Sequence, residues 1–425
     1  MWFLYYWKLC IHLLFGTKRI GVNNKWQESF DSIFNIPLFG FGYSILIRPI
    51  RWRILCKILR LRMEIAGIGR DSIRGANRSV SMKQSCRPIG ADKNENMGVS
   101  LDPLSDSVQR THPRILESYS SPDLSVNIAG IRFKNPVIAA SGTFGYGEEY
   151  GKLIDLNRIG GIAVKGLSLQ PREGNIPPRI CETPSGMLNA IGLANVGIDL
   201  FLSEKLPFLR RFDTRIIVNI SGENIDEFIE IAKRLNREDG IDAIEVNISC
   251  PNVKKGGMQF GRDTKETYRV VSGVRKAADI PIIVKLSPNV TDIVEFAKTS
   301  KDAGADAVSL VNTFLGMSID IETRMPKLAN ITGGLSGPAI RPIAVRMVWE
   351  VANNVEIPII GIGGIVSPED AIEFILAGAA AIEVGTANFI APDSIIKVID
   401  GIRDYMEKNK VRDIKSLIKG VKICQ

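Results

Sequence analysis

Ile357-Pro-Ile-Ile-Gly-Ile-Gly-Gly-Ile365 is an apolar string that runs into a glycine-rich tip. Nothing polar interrupts its first half, which is how a strand reads when both of its faces are buried, as in a parallel sheet. Seven further stretches have similar make-up, at 136–141, 161–166, 215–221, 243–249, 281–287, 307–313 and 380–386, beside this one at 357–364. Between them, 225–235, 264–277, 292–301, 339–351 and 368–376 carry apolar residues at helical spacing. Eight parallel-type strands with helical crossovers over about 300 residues predict an α/β fold, a (β/α)8 TIM barrel spanning 121–425. An open doubly wound sheet would usually show a GxGxxG turn after its first strand, and none is present.

The C-terminal tips of barrel strands are where active sites are built. Here the tips are Ser141, Lys165 with Gly166, Asn219, Asn247 with Cys250, Lys285, Asn312 with Thr313, Gly363 with Gly364, and Gly385 with Thr386. Seven of the eight carry polar side chains, which a purely structural barrel does not need. Lysines at two tips are costly to bury unless an anion or electron-rich ligand meets them; the bland alternative is that each extends its head to solvent. The segment Glu245-Val-Asn-Ile-Ser-Cys-Pro-Asn252 ends a strand abruptly and runs into the loop Asn252-Val-Lys-Lys-Gly-Gly257. Cys250 among neutral amides in a cleft suits a catalytic acid/base, against the alternative of a small apolar cap. A free thiol titrates near 8.5, so nearby lysine charge and a closed, dry loop would have to assist it.

Glycine tips after the seventh and eighth strands, Gly361-Ile-Gly-Gly-Ile365 and Val384-Gly-Thr-Ala387, have the character of a barrel phosphate site. Glycines let backbone N–H groups approach phosphate oxygens, and Gly337 could join them from the preceding loop. A phosphate anchor with a lysine near a ring system suggests FMN, with Lys285 stabilising negative charge on the reduced ring. Two long excursions leave strand ends, 166–214 and 315–338, and loops of that length are usually functional.

Charge is placed unevenly. Residues 1–120 hold 18 Lys and Arg against 9 Asp and Glu, whereas the remaining 305 hold 36 against 37. The barrel region thus gives no electrostatic case for nucleic acid. Six scattered cysteines without a CxxC pair fit a reducing compartment and argue against zinc or an iron–sulfur cluster held by this chain, so no metal site is expected. Both histidines, His12 and His112, lie in the first 120 residues, leaving Cys, Lys, Tyr or a carboxylate for acid/base work beyond them. Residues 1–120 read as a basic N-terminal extension, disordered or not part of the native protein, with an over-extended reading frame starting truly at Met97 or a nearby codon. A genuine extension and a membrane or targeting segment are the alternatives. The opening 16 residues are too short, and too interrupted by Lys8, for a transmembrane helix, so stable membrane insertion is not expected.

Asn189-Ala-Ile-Gly-Leu193, Asn247-Ile-Ser-Cys-Pro-Asn252, Val284-Lys-Leu-Ser-Pro-Asn289, Asn312-Thr-Phe-Leu-Gly316, Thr332-Gly-Gly-Leu-Ser-Gly-Pro338 and Gly361-Ile-Gly-Gly364 resemble, in order, motifs of the class 1 dihydroorotate dehydrogenases. The resemblance runs from about Leu124 to the C-terminus. Cysteine at 250 separates it from the membrane-bound class 2 enzymes, which use serine there. Val253-Lys-Lys-Gly-Gly-Met-Gln-Phe-Gly261 is similar to subclass 1B, the NAD-linked catalytic subunits. The resemblance implies oxidation of dihydroorotate to orotate in pyrimidine biosynthesis, with Cys250 taking the C5 proton and FMN accepting the hydride. It implies that Lys165, Asn189, Ala190, Ile191, Gly192, Leu193, Asn247, Asn312 and Thr313 hold the substrate. It implies that Ser141, Lys165, Gly166, Asn219, Asn247, Lys285, Val311, Gly337, Gly363, Gly364, Gly385 and Thr386 hold FMN. It further implies a cytoplasmic heterotetramer on a homodimer core, in which a partner subunit carries FAD and a 2Fe-2S iron–sulfur cluster and reduces NAD+. Rival expectations are a fumarate-linked class 1A-like enzyme, a dihydropyrimidine dehydrogenase-like activity, and a non-enzymatic flavin-binding scaffold.

Overall fold

The computed structural model describes residues 121–249 and 260–423. The expectations for residues 1–120, and for Cys250 and the loop that follows it, lie outside the described residues.

Eight strands, Val137–Ala139, Gly161–Ala163, Arg215–Ile220, Ala243–Asn247, Ile282–Lys285, Ala307–Leu310, Ile359–Ile362 and Ala381–Val384, pair in that order. Each runs parallel to the next, and the eighth returns to the first to close a barrel. Every one lies inside a stretch the sequence marks as a strand. Apart from Arg215 at its open end, every residue of these strands is buried, as their largely apolar composition favours. At that same end, the hairpin Val126–Ile128 with Ile131–Phe133 seats Phe133 against Gly161, where a Cβ would lie 3.0 Å from its ring.

Helices Ile225–Leu235 and Thr264–Ala277 coincide with the expected bounds, while Ile293–Asp302, Arg341–Asn354 and Pro368–Ala377 shift at their ends by no more than three residues. Their starts follow from capping chemistry. Asn224, Asp263 and Asp292 each accept first-turn N–H groups, and Ser367 with Asp370 forms a reciprocal capping box. Helix Ser394–Lys408 was not among the expected helices.

The two long excursions are not plain loops. The first folds into Ile180–Thr183 and Gly186–Asn189, followed by a helical run over 197–209; the second contributes Phe314–Met317 and Thr332–Ser336. Together they make one four-stranded antiparallel sheet, in which Gly334 faces Asn189 and Ser336 faces Met187. The glycines of Thr332–Ser336 let a strand lie where side chains would collide. A Cβ on Gly333 would stand 2.6 Å from the Asn189 carbonyl oxygen, and one on Gly334 would stand 2.0 Å from Thr313 Oγ1. Among the described residues, no helix is long and apolar enough to cross a membrane.

Because the Asn189 carbonyl belongs to backbone, Gly333→Ala must separate the two central strands of this sheet. Overpacking of this kind costs about 1–3 kcal/mol. The urea midpoint should fall accordingly, with ligand affinity at the neighbouring cavity falling with it.

Candidate active site

A cavity of about 410 Å³ opens at the C-terminal ends of the barrel strands, beside the excursion sheet. That size suits a cofactor or small-molecule ligand. Its wall contains Ser141, Lys165, Gly166, Asn189, Ile191, Gly192, Leu193, Asn247, Lys285, Val311, Asn312, Thr313, Gly337, Gly363, Gly364, Gly385 and Thr386. Two residues singled out by sequence lie elsewhere. Ala190 is buried with Leu188 and Leu328. Asn219 points into the barrel interior, where it donates to the Glu245 carboxylate. Cys250 lies outside the described residues.

Neutral amides line one side. Asn312 Nδ2 donates to Ser249 Oγ at 2.7 Å and to Asn247 Oδ1 at 3.4 Å, and Ser249 Oγ donates to Asn247 Oδ1 at 3.2 Å. Asn247 Nδ2 in turn reaches Asn219 Oδ1 at 3.4 Å. A polar line therefore descends from the cavity into the barrel, ending on the buried cluster of Glu245, Lys285 and Glu383.

The two tip lysines differ sharply in their surroundings. Burial, with Arg179 nearby, pushes the Lys165 ammonium down, while Glu149 acts in the opposite sense. No ion pair among the described residues involves it, so an anionic ligand would relieve a real electrostatic cost. Burial also pushes Lys285 down, but Glu245 and Glu383 outweigh it and hold the ammonium above its ordinary value.

On the opposite wall, Gly337, Gly363 and Gly364 all adopt positive φ, at 94°, 127° and 82°. A Cβ on Gly364 would lie 2.7 Å from the Gly337 carbonyl oxygen, so these turns are in close approach. No hydrogen bond among the described residues engages the Gly363 or Gly364 N–H. Thr386 Oγ1 donates to Ser336 Oγ at 2.8 Å, tying the eighth strand's tip to the same wall. The helix Arg341–Asn354 starts just beyond, its positive end near these turns. Free N–H groups, glycine backbone and a helix start fit a phosphate, and a buried lysine at the far wall fits an electron-rich ring. The donor set therefore suits a ligand with a phosphate at one end and an electron-rich ring at the other.

The family model of dihydroorotate dehydrogenase matches residues 123–406. The chain belongs to the dihydroorotate dehydrogenase family. Among its relatives, the "Dihydroorotate dehydrogenase B (NAD(+)), catalytic subunit" of Geotalea daltonii is 57% identical over 304 residues, covering 72% of this chain and 100% of that protein. Its namesake in Thermoanaerobacter sp. strain X514 is 54% identical over 301 residues, covering 71% and 99%. A solved dihydroorotate dehydrogenase from Eimeria tenella, in complex with ferulenol, shares the fold at TM-score 0.60 and 23% identity, covering 74% of this chain and 90% of that one.

In this dihydroorotate dehydrogenase, sequence reasoning missed three kinds of residue. Glu245 and Glu383 lie within the look-alike strands Ala243-Ile-Glu-Val246 and Ala381-Ile-Glu-Val384. A carboxylate inside an otherwise apolar buried strand must find a partner, and that was the available signal. Ser249 and Ser336 extend the amide and threonine contacts. Asn195 pins the run that ends at Leu193: its Nδ2 donates to Leu193 O and Ser168 Oγ, both at 2.7 Å, while its Oδ1 accepts from Gly197 N at 2.8 Å and Ser168 N at 3.2 Å. Nothing in its local sequence announces that role, because its partners lie on two sides of a turn.

Asn195→Ala strands several buried polar groups, each costing about 1–3 kcal/mol when left unpaired. The expected result is a fall in stability of at least about 2 kcal/mol by chemical denaturation, with weaker ligand binding from a loosened Asn189–Leu193 wall.

Proposed function

We propose that this chain oxidises dihydroorotate to orotate, the redox step of de novo pyrimidine biosynthesis, as the catalytic subunit of an NAD+-linked enzyme. The observation that carries the reading is the match to the Geotalea daltonii subunit across that protein's full length. The cavity is consistent with it: Lys165, Asn189, Asn247, Asn312 and Thr313 face one space beside the glycine wall.

FMN, when bound, supplies the hydride acceptor. Gly337, Gly363, Gly364, Gly385 and Thr386 would hold its phosphate end, with Ser141, Lys165, Gly166, Asn247, Lys285 and Val311 on the ring side and Asn219 supporting Asn247 from below. Lys165 takes the substrate carboxylate, which offsets the cost of its own burial. Asn189 and the run to Leu193, together with Asn247, Asn312 and Thr313, hold the pyrimidine. Amides suit that ring because they pair with its N–H and C=O edges without adding charge beside the thiol. Cys250 takes the C5 proton as general base. Electrons then pass to a partner subunit carrying FAD and a 2Fe-2S cluster, within a cytoplasmic heterotetramer built on a homodimer of this chain. The word "subunit" in the relatives' names supports a partner.

Anaerobic addition of dihydroorotate to the full chain should bleach its flavin absorbance; a yellow protein that stays yellow sinks the substrate assignment. Cys250→Ser should slow that bleaching by about 10²–10⁴-fold, the usual worth of a general base, with FMN content unchanged. Electron delivery to fumarate by the chain alone would instead favour a partner-free enzyme.

Lys165→Met should weaken orotate binding at least about tenfold, since a charge-assisted contact is worth about 1.5–3 kcal/mol. Uracil, which lacks the carboxylate, should bind both forms equally poorly by calorimetry. Equal orotate affinity in the two proteins would remove Lys165 from the substrate site.

A further inference from the structure

A charged cluster lies inside the barrel at the base of the cavity, and the chemistry above gives a role to Lys285 alone. Glu245 on the fourth strand and Glu383 on the eighth reach inward from opposite sides of the barrel, both side chains 0% exposed. They meet at Lys285 on the fifth strand, whose Nζ lies 3.4 Å from Glu245 Oε2 and 3.1 Å from Glu383 Oε2. One ammonium with two ionised carboxylates would leave a net negative charge without water to solvate it. Burying an uncompensated charge is among the costliest arrangements in a protein, so one carboxyl keeps its proton.

The two carboxyls are not equivalent. Glu245 Oε1 accepts from Ser309 Oγ at 2.7 Å, and its Oε2 accepts from Asn219 Nδ2 as well as from Lys285. Every contact it makes with Asn219, Ser309 and Lys285 comes from a donor, which favours the ionised form. Among the described residues, Glu383 has only Lys285 as a donor, and its Oε1 has no hydrogen-bond partner. Burial, with the Glu245 charge adding to it, pushes the Glu383 carboxyl up to about 8, while Lys285 acts in the opposite sense. Burial pushes Glu245 the same way, but Lys285, Ser309 and Asn219 together hold it below the usual carboxylate range. Glu245 and Lys285 are the charged groups that act on Glu383; its other neighbours in the cluster, Asn219 and Ser309, are neutral.

We propose that Glu245 and Glu383 are positioning residues that hold Lys285 in a neutral cluster containing one shared proton, and that this balance sets the reduction potential of the flavin bound above it. The proposal rests on the reading of the cavity as an FMN site. Lys285 lines that cavity, so any change in the net charge around it would be felt, through low-dielectric interior, by a ring bound there. Removing the Glu245 charge also removes part of what keeps Glu383 protonated, so Glu383 ionises against Lys285 and the cluster stays neutral; only loss of both carboxyls leaves it at +1 and favours the electron-rich reduced state. Glu383 carries no charge at neutral pH, so its amide isostere leaves the balance in place until the native carboxyl would ionise.

The test is a potentiometric titration of the full chain with its flavin, for wild type, Glu245→Gln, Glu383→Gln and the double variant, between pH 6 and pH 9.5. At pH 7, the double variant should raise the ratio of reduced to oxidised flavin at fixed potential at least about tenfold, ~30 mV for a two-electron couple, while Glu245→Gln alone should not. Glu383→Gln should change that ratio by less than about threefold at pH 7, a shift of under ~15 mV on the same scale. It should also abolish the extra fall in potential that wild type shows as pH rises through about 8. A double variant that shifts no more than Glu383→Gln at pH 7, or a wild type without the step that Glu383→Gln removes, would overturn the proposal.

Unfolding of the same proteins reads the proton without the flavin signal. The folded value for Glu383 lies above its ordinary 4.5, so the stability it contributes is present below that ordinary value and is lost as pH rises through about 8. Glu383→Gln should flatten that decline, and an unaltered profile counts against the shared proton even if Glu245→Gln fails to fold. A chain that takes up no flavin at all defeats the FMN reading itself. A flavin-loaded chain with no pH step defeats only the cluster.

Discussion

Strands of three to six residues do not hold together as an open sheet; closure is the constraint from which the rest follows. Each barrel strand pairs on both sides, so no edge is left, and each is fed by a crossover that returns to the same end. All eight C-terminal tips therefore converge on one face. The chemistry-bearing residues, scattered from Ser141 to Thr386 in the chain, come within one cavity for that reason and no other. The cost of closure appears inside. A barrel interior is ordinarily filled by branched apolar side chains. Here the layer below the cavity instead holds Glu245, Lys285, Ser309 and Glu383, all buried. An ionic layer in that position survives only because its charges are matched, donor to acceptor, around the ring of strands.

That layer is continuous with the cavity. Asn312, Ser249, Asn247 and Asn219 pass hydrogen bonds downward until Glu245 accepts the last of them. Each side chain in the line is held by another from the same or a nearby strand, so its rotamer is fixed by the barrel. A pyrimidine binding among these amides would meet preset donors and acceptors, which lowers the ordering cost of recognition. The excursion sheet does the same for the opposite wall by pairing two segments far apart in sequence, at Gly334 with Asn189.

The barrel was legible because doubly buried strands leave an unmistakable apolar string, and because Asn224, Asp263, Asp292 and Ser367 announce where helices begin. The excursion sheet was not. Its strands are short, half exposed and rich in glycine, and the pairing that joins its two halves spans more than a hundred residues, so no local pattern carries it. Helix Ser394–Lys408 has apolar residues at helical spacing, but Asp393 offers no side-chain cap and Gly401 interrupts its middle. That glycine is there for packing: a Cβ would lie 2.0 Å from Pro368 Cγ on the neighbouring helix. At the site, tip residues were readable by position, whereas Glu245 and Glu383 were not, because a charge inside a barrel strand is intelligible only once its partner across the barrel is known.

Lys165 and Lys285 show most clearly what composition conceals. In sequence they are two lysines at two strand tips, equally strange and equally suggestive. In the barrel, Lys285 has its charge balanced by carboxyls from opposite strands, so a ligand meets a fixed, fully formed field. Lys165 has no carboxylate bonded to it and is pushed down chiefly by its own burial, with Arg179 beside it. Its electrostatic need is therefore unmet until an anion arrives. A residue whose charge is already satisfied can tune a resident group, whereas one left unsatisfied is suited to select what enters. The same side chain thus serves two ends of one cavity, and only the position of the acidic partners decides which.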